Sequence, residues 1–421
     1  MFPLYFIVLI GMIGFGVVFP LIPFFAERAG ADPNMIGLII SAYAVGQLVG
    51  GPVFGRLSDT YGRRPVLIVT SFLTVPPYLM LAVADTVTLL LVARFLTGFT
   101  AGNISTAYAY AADVSDPAQR AKVLGRVAAA FGAGFFAGPA IGGIFAGTDV
   151  ETANFVLLSI MSAAFSAMAG IAAFFFLKES LPDEHRKPLA LKFEGAVAVA
   201  DLRLFMQRRV LVASIVVTFL LSQAAAIVQG IMPEWLHAYL GFGPRGIGFL
   251  MGYVALVAFL LQSGAVGPIV SWLGEERAAR LSAALYGIAF FLLPFVGGLV
   301  SLILGLTLIA IGFGIFMPSL QSIVARLSGP HEYGTVMGVQ QGAASLARIT
   351  GPIFAWSVYG LYGGTWVFVA GALSVLPGVL LVLWMTRKSA VSERLAESLS
   401  TDVPPAPSSE LSQDETQDRG L

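Results

Sequence analysis

Long apolar stretches separated by short polar loops fill this chain. About 20 consecutive apolar residues are needed for a helix to cross the apolar core of a bilayer. By that measure the sequence predicts twelve spans, near residues 4–25, 34–54, 66–84, 88–111, 123–146, 153–177, 210–232, 246–272, 278–297, 300–325, 334–358 and 363–386. The pattern therefore predicts an all-α integral membrane protein, since a lone segment in lipid satisfies its backbone only as a helix.

The composition supports this prediction and narrows the possible partners. Of the 421 residues, 57% are hydrophobic and 11% are charged, whereas soluble domains carry about 25% charged residues. The formal net charge is zero, so nucleic acid is not an expected partner. The chain contains no cysteine, which excludes disulfides and thiolate metal sites.

Lys and Arg are distributed unevenly between the two sides of the predicted membrane. If the loop 55–65 is cytoplasmic, all Lys and Arg residues in loops fall on the cytoplasmic side except Arg28 and Arg245, while Arg94 and Arg348 lie within spans. An excess of Lys and Arg marks cytoplasmic loops. We therefore predict that both termini are cytoplasmic.

Glycine and proline positions recur along the chain. The glycines of residues 55–62 are repeated at 267–274, and Gly-Pro at 138–139 recurs at 351–352. Two parallel six-helix repeats suggest a transporter whose halves rock around a site between them. The predicted divisions are an N-terminal bundle over 1–177, a cytoplasmic linker over 178–209, a C-terminal bundle over 210–386 and a disordered cytoplasmic tail over 387–421.

The charged loop GRLSDTYGRRP, residues 55–65, joins the second and third predicted spans. Its glycines suit close contacts and a turn. The loop resembles the signature of the major facilitator superfamily, and the resemblance extends over both halves of the chain. It implies the twelve-helix fold of two pseudo-symmetric bundles. It also implies a cytoplasmic gate and charge cluster formed by Gly55, Asp59, Gly62, Arg63, Arg64, Asp113 and Arg120.

In that family an acid at the position of Asp113 joins the loop's aspartate and arginine and holds the cytoplasmic side shut. Membrane topology and a tight turn could also explain the same charges without any gate. The second half has Ser271 at the place of Asp59, which predicts that the charge cluster differs between the halves.

The fifth predicted span reads GRVAAAFGAGFFAGPAIGG and resembles the signature of drug:proton antiporters, of the tetracycline-efflux-like subgroup. This resemblance implies export of small amphipathic compounds or drugs in exchange for protons, with antibiotic resistance, in a bacterial inner membrane. Small residues at this spacing also allow ordinary close helix packing. The motif consists of Gly134, Gly138, Pro139, Gly142 and Gly143.

One position departs from that subgroup. Gly11 occupies the place where many drug antiporters carry an acid, and no Asp or Glu lies in the middle of a predicted span. Ionisable groups inside a membrane often form proton relays. The remaining candidates for proton coupling are Asp59, Asp113, Glu27 and Glu234. The departure keeps open the alternative of an uptake or facilitated carrier for a small metabolite, anions included.

Two arginines lie inside predicted spans, where an ionisable residue indicates a functional site. The resemblance makes Arg94 part of the proton-linked machinery, although bonds to first-helix carbonyls would also satisfy it. Arg348 could bind an anionic or carbonyl-rich substrate or serve helix packing. Polar residues in apolar spans complete the predicted substrate cavity: Tyr43, Gln47, Ser222, Gln229, Gln341, Ser345 and Arg348.

The sequence contains no Ser/His/Asp grouping, no metal-ligand spacing and no phosphate-binding loop. We therefore predict neither an enzyme nor a cofactor or metal site. The predicted partners are a small-molecule substrate, protons and the lipid bilayer, and we expect a monomer.

Overall fold

The computed structural model describes residues 1–116, 118–186, 188, 209–328 and 333–401, which form helices and turns and contain no β-strand. The N-terminal half contains helices α1 (Phe2–Arg28), α2 (Pro33–Tyr61), α3 (Arg63–Ala82), α4 (Val87–Asp113), α5 (Arg120–Ala146) and α6 (Phe155–Phe176). The C-terminal half contains α7 (Arg209–Leu240), α8 (Pro244–Leu273), α9 (Glu275–Phe295), α10 (Leu299–Leu327), α11 (Tyr333–Tyr362) and α12 (Gly364–Thr401).

Eleven of these helices contain a segment long and apolar enough to cross a membrane. The exception is α11, which has 30 residues but also Gln340, Gln341 and Arg348, whose polarity lowers its hydropathy. The structure therefore has the all-helical membrane fold that the sequence predicts, and the twelfth crossing stays a prediction.

The tail and the linker of the predicted domain scheme differ from the structure or lie largely outside the described residues. Helix α12 continues to Thr401, so residues 387–401 are helical where the sequence predicted a disordered tail. No Gly or Pro interrupts this stretch, and those residues are the strongest helix breakers. The remainder of the predicted tail, 402–421, and most of the predicted linker, 189–208, lie outside the described residues.

Matching helices pack in the same way in the two halves. Helix α1 packs against α5 and α3 against α6, and correspondingly α7 packs against α11 and α9 against α12. Trp356 of α11 is fully buried and donates from Nε1 to the carbonyl of Gly230 on α7 (3.0 Å). The α2–α3 and α8–α9 turns use Gly62 (φ +100°) and Gly274 (φ +78°), a backbone conformation that favours glycine.

The Gly62 face is the end of the helix bundle at the α2–α3 turn, and the Asp32 face is the opposite end, at the α1–α2 turn. Contacts between the halves concentrate toward the Asp32 face. There Ser41 donates to the carbonyl of Ile349 (2.6 Å) and Ser357 donates to Asn34 (2.8 Å).

Glycines show where the halves separate. On the Asp32 side of α8, Gly248 packs against Gly143 of α5, so that a β-carbon at position 248 would lie 2.8 Å from the Gly143 Cα. Toward the Gly62 face, β-carbons at Gly125, Gly267 and Gly338 would meet nothing within 4 Å. The halves therefore touch on the Asp32 side and part toward the Gly62 face.

Candidate functional site

A group of charged side chains lies on the Gly62 face of the N-terminal half. Arg63 is at its centre, with Nη1 donating to Asp59 (2.6 Å) and Ser58 (2.7 Å), and Nε donating to Asp113 (3.0 Å). Bonds between a guanidinium and carboxylates are about twice as strong as neutral hydrogen bonds. We call Asp59, Arg63 and Asp113 the N-terminal charge cluster, which links the α2–α3 turn to the end of α4.

Glu179, which the sequence reasoning did not single out, secures the start of α3. Its carboxylate accepts from the backbone N–H of Arg63 (2.8 Å) and of Arg64 (3.2 Å), and it packs against Gly62. A negative charge at a helix N-terminus satisfies free N–H groups and is favoured by the helix dipole. Arg120 is exposed at the start of α5 and has no bond to the N-terminal charge cluster among the described residues.

Gly55 and Arg64, two further predicted gate residues, make local contacts. The carbonyl of Gly55 accepts from Ser58 (2.7 Å), and Arg64 donates to the carbonyl of Phe174 (2.7 Å) while its guanidinium lies 5.8 Å from that ring's centre. Gly55 therefore supports the cluster through Ser58, and Arg64 ties α3 to α6.

The C-terminal half contains an ion pair at the equivalent place with its charges exchanged. The difference in residue number between Gly62 and Gly274 is the same as that between Arg63 and Glu275, so the latter two occupy equivalent positions in the two halves. The difference in residue number between Gly-Pro 138–139 and Gly-Pro 351–352 is likewise the same as that between Asp113 and Arg326. Arg326 Nη2 lies 2.8 Å from Glu275 Oε2, so this pair has its acid where the first half has its base.

Ser271 explains how the exchanged pair is accommodated. This residue stands at the place of Asp59, and its hydroxyl donates to the carbonyl of Pro268 (2.9 Å). Beside Glu275, a second carboxylate there would be repulsive. The sequence reasoning predicted that the halves differ but missed the exchanged pair, although the repeat offset pointed to it.

Arg94 lies deep in α4 and faces Tyr43 of α2. It is 1% exposed, and its guanidinium carbon lies 4.8 Å from the centre of the Tyr43 ring. Its Nε is buried and has no acceptor, and no Arg94 bond to an α1 carbonyl occurs among the described residues. A cation–π contact stabilises the charge but leaves N–H donors free for a ligand oxygen.

Arg348 lies on the other half, within electrostatic range of the same tyrosine. Its Nη2 donates to Ser345 (2.9 Å). Both intramembrane arginines, separately predicted, thus lie within electrostatic range of Tyr43 near the junction of the halves. Neither has a carboxylate partner in the part of the chain that the structure describes. We call Tyr43, Arg94 and Arg348 the central arginine group.

The other predicted cavity residues are not hydrogen-bonded to this group in the described structure. Ser222 is buried, Gln47 is half-buried, and Gln229 and Gln341 are exposed. Their neighbours in sequence serve packing of α7 on α11: Gln223 accepts from Thr350 (2.6 Å), and Gln340 donates to Ser214 (3.2 Å). Phe15, which was not predicted, has its ring centre 4.7 Å from that of Tyr43.

A cavity of about 100 Å³ lies inside the N-terminal half beside Tyr43. Thr97, Asn103 and Ser166 contribute polar side chains to a mostly apolar lining. Gly11 also lines it, with nothing within 4 Å of the place a β-carbon would take. The position where many drug antiporters carry an acid is therefore open space in this protein.

The glycine motif of α5 faces two neighbouring helices. Gly134, Gly138 and Gly142 pack against α1, and a β-carbon at Gly138 would lie 2.6 Å from the Gly16 Cα. Pro139 and Gly143 contact Gly248 of α8 in the other half. The motif thus serves close packing within one half and also forms a contact between the halves.

Two carboxyl groups meet across the halves on the Asp32 face. Glu27 at the end of α1 lies within hydrogen-bonding range of Glu234 on α7. Glu234 is 7% exposed, and its Oε1 accepts from the hydroxyl of Tyr359 (2.9 Å). Its Oε2 is buried without a donor. We call Glu27 and Glu234 the carboxyl pair.

Comparison with known proteins identifies the family. The chain matches the family described as the Major Facilitator Superfamily over residues 4–352 and again over 214–415. It is 26% identical to Multidrug resistance protein 2 of Bacillus subtilis, with 91% of this chain and 94% of that protein covered. It is 29% identical to the class G Tetracycline resistance protein of Vibrio anguillarum, covering 86% and 92% of the two chains.

A human relative and its solved structure agree with this assignment, and a second solved structure shares the fold. Major facilitator superfamily domain-containing protein 10 of Homo sapiens is 31% identical, covering 82% of this chain and 78% of that protein. The crystal structure of this human organic anion transporter, MFSD10, superposes with a TM-score of 0.65 at 25% identity, over 90% and 98% of the chains. The nucleoside transporter NupG, 14% identical, superposes with a TM-score of 0.77 over 91% and 99%.

Proposed function

The chain belongs to the Major Facilitator Superfamily, and from that premise we propose that it exports small amphipathic compounds in exchange for protons by alternating access. It is a multi-pass membrane transporter for a small molecule, as its family and relatives establish. We further propose that it works as a monomer in a bacterial inner membrane. The Gly62 face, with both termini, is then cytoplasmic.

The observation that carries this proposal is the position of the central arginine group. The halves touch on the Asp32 side and part toward the Gly62 face, so Arg348 is exposed at the junction, on the side of the opening. A rocking transporter binds substrate between its halves. An exporter must load its substrate from the cytoplasm, and an opening on that side suits this task.

We propose that the N-terminal charge cluster braces the helix ends that close the cytoplasmic side. Arg63 holds the end of α2 to the end of α4 through Asp59 and Asp113. Because these bonds keep the helix ends together as one rigid unit, the ends move as a unit when they contact the C-terminal half. Closing that face then becomes a switch between two packed arrangements.

Everted membrane vesicles test the export proposal. With the vesicle interior acidified and followed by a quenched dye, addition of a transported amphipathic drug should release protons. Arg348→Gln should weaken this response, whereas Arg280→Gln should leave it unchanged because Arg280 bonds locally to the carbonyl of Glu276 (3.3 Å). A panel of drugs that produces no proton release from well-expressed protein would refute proton-coupled export.

The two arginines favour a second candidate, a carrier of small organic anions that uses the same cavity. Arg94 has an unsatisfied Nε, and neither arginine has a carboxylate partner in the described chain. An anionic substrate would supply the missing acceptor. Proteoliposomes loaded with paired anionic and cationic fluorophores of similar size separate the candidates. Transport of only the anion favours this second function, and transport of only the cation excludes it.

A further inference from the structure

The carboxyl pair is unusual because two acidic groups, one from each half, face each other at a closed interface. Glu27 is exposed on the Asp32 face, whereas Glu234 is 7% exposed. Two ionised carboxylates at this range repel, and a proton between them turns the contact into a hydrogen bond. The buried Oε2 of Glu234, which has no donor, is the atom that such a proton would satisfy.

The surrounding α7 and α11 groups form no ion pair with the carboxyl pair in the described chain. Tyr359 donates one hydrogen bond to Glu234 and is neutral. Tyr239 accepts at its hydroxyl from the backbone N–H of Gly364 (2.9 Å). The ring of His237 packs edge-on against Phe24, and its Nδ1 lies 3.0 Å from the carbonyl of Phe242.

The charges on the other packed elements are also directed elsewhere. Arg28, next to Glu27 in the chain, donates to the carbonyls of Glu151 and Ala153 and lies over the ring of Phe155. Asp32 caps α2 by accepting from the N–H of Met35 (2.9 Å). At the start of α8, Arg245 is exposed, and no side-chain bond joins it to the carboxyl pair within the described part of the chain. Among the described residues, no Lys or Arg forms an ion pair with the carboxyl pair.

We propose that Glu27 and Glu234 bind one proton between them, and that this proton holds the Asp32 face closed. The proton comes from the medium on that face through exposed Glu27, and no covalent bond changes. Its loss leaves two like charges across the interface and favours separation of the halves there. The inference rests on the proposed function, to which it adds the site where the coupling proton acts.

The proposal explains how a transporter without an acid in the middle of its spans could respond to protons. A proton on the Asp32 face favours the conformation open toward the Gly62 face, which is the loading conformation of an exporter. One proton linked to closure changes the ratio of closed to open molecules by at most about tenfold per pH unit.

Spin-label distances across the Asp32 face test the proposal. The chain has no cysteine, so Val83→Cys and Leu361→Cys, at positions 71% and 75% exposed, place one label on each half. In the otherwise native chain in nanodiscs, raising the pH should shift the population from the short to the long distance, by up to about tenfold per pH unit. Glu27→Gln should hold the short distance at every pH, because its amide donates to Glu234 without a proton.

Glu151→Gln is the matched control, since it removes an exposed acid of the same face outside the pair, and it should keep the pH response. A distance that does not change with pH, or a response that survives Glu27→Gln, overturns the inference even where substrate-driven proton release is measured. A response that Glu27→Gln abolishes by holding the short distance supports the inference even where the vesicle assay finds no proton exchange, whereas a variant held at the long distance overturns it, so the two proposals fail separately.

Discussion

Gly248→Ala should shift the conformational equilibrium of this protein away from the form that is closed on the Asp32 face. The added methyl would lie 2.8 Å from the Cα and 3.1 Å from the N of Gly143, and would also meet the carbonyl oxygen of Pro139. Carbon atoms pack favourably at about 3.5–4.0 Å, so α8 and α5 would have to move apart. Overpacking of this kind costs about 1–3 kcal/mol.

This cost falls on one conformation because Gly248 and Gly143 belong to different halves, which separate on this face when the transporter opens there. A bias of about 1–3 kcal/mol corresponds to roughly a 5- to 150-fold change in the ratio of the two forms. The strain arises from the Gly248–Gly143 contact within the protein, so the ratio of the two forms should change even when no substrate is bound.

Maleimide labelling of a single cysteine measures the shift. Ser41→Cys places the thiol at a site that is 2% exposed and bonded across the halves to Ile349, so it reacts only when the Asp32 face opens. Adding Gly248→Ala should raise the labelling rate by the factor above, until opening is no longer limiting. Gly287→Ala is the control, because its methyl would make ordinary contacts of 3.6 Å with Val375 and Val379 inside one half. An unchanged rate in folded Gly248→Ala protein, or an equal rise in the control, would refute the reasoning.

Three further predictions concern packing, the charge clusters and the central arginines. Gly138→Ala, whose methyl would lie 2.6 Å from the Gly16 Cα within one half, should cost about 1–3 kcal/mol in every conformation. It should therefore lower the thermal unfolding midpoint, and an unchanged midpoint would contradict the packing described. Arg63→Glu should lower that midpoint, because it places three carboxylates together. Adding Asp59→Ser and Asp113→Arg should restore most of the loss, because the site would then have the charges of the Glu275–Arg326 pair. An unrecovered midpoint would contradict the equivalence of the two pairs. Arg348→Lys should retain more anion transport than Arg348→Gln, measured as release of the anionic fluorophore from loaded proteoliposomes, while equal loss in both would indicate a packing role.

Much of the fold could be predicted because its cause is local. A lipid environment demands long apolar helices, so span positions follow from hydropathy alone, and eleven of the twelve predicted spans meet that measure in the structure. The turn glycines Gly62 and Gly274 could also be predicted from the sequence, because the conformation of a turn depends on only a few neighbouring residues. Helix α12 exceeded its predicted end because hydropathy marks where lipid ends, whereas a helix ends where its backbone is interrupted.

The relations between distant residues required the tertiary structure. The sequence marked Arg94 and Arg348 because a charge inside an apolar span is costly, and it left Glu27 and Glu234 among the candidates for proton coupling. It could not show that Arg348 lies within electrostatic range of the Arg94–Tyr43 contact, or that the two acids lie together, since each of these relations joins helices from different halves. Those contacts depend on how the halves are tilted against one another. Hydropathy along the chain determines which segments enter the bilayer, whereas the packing of the two halves determines which residues of different helices contact each other.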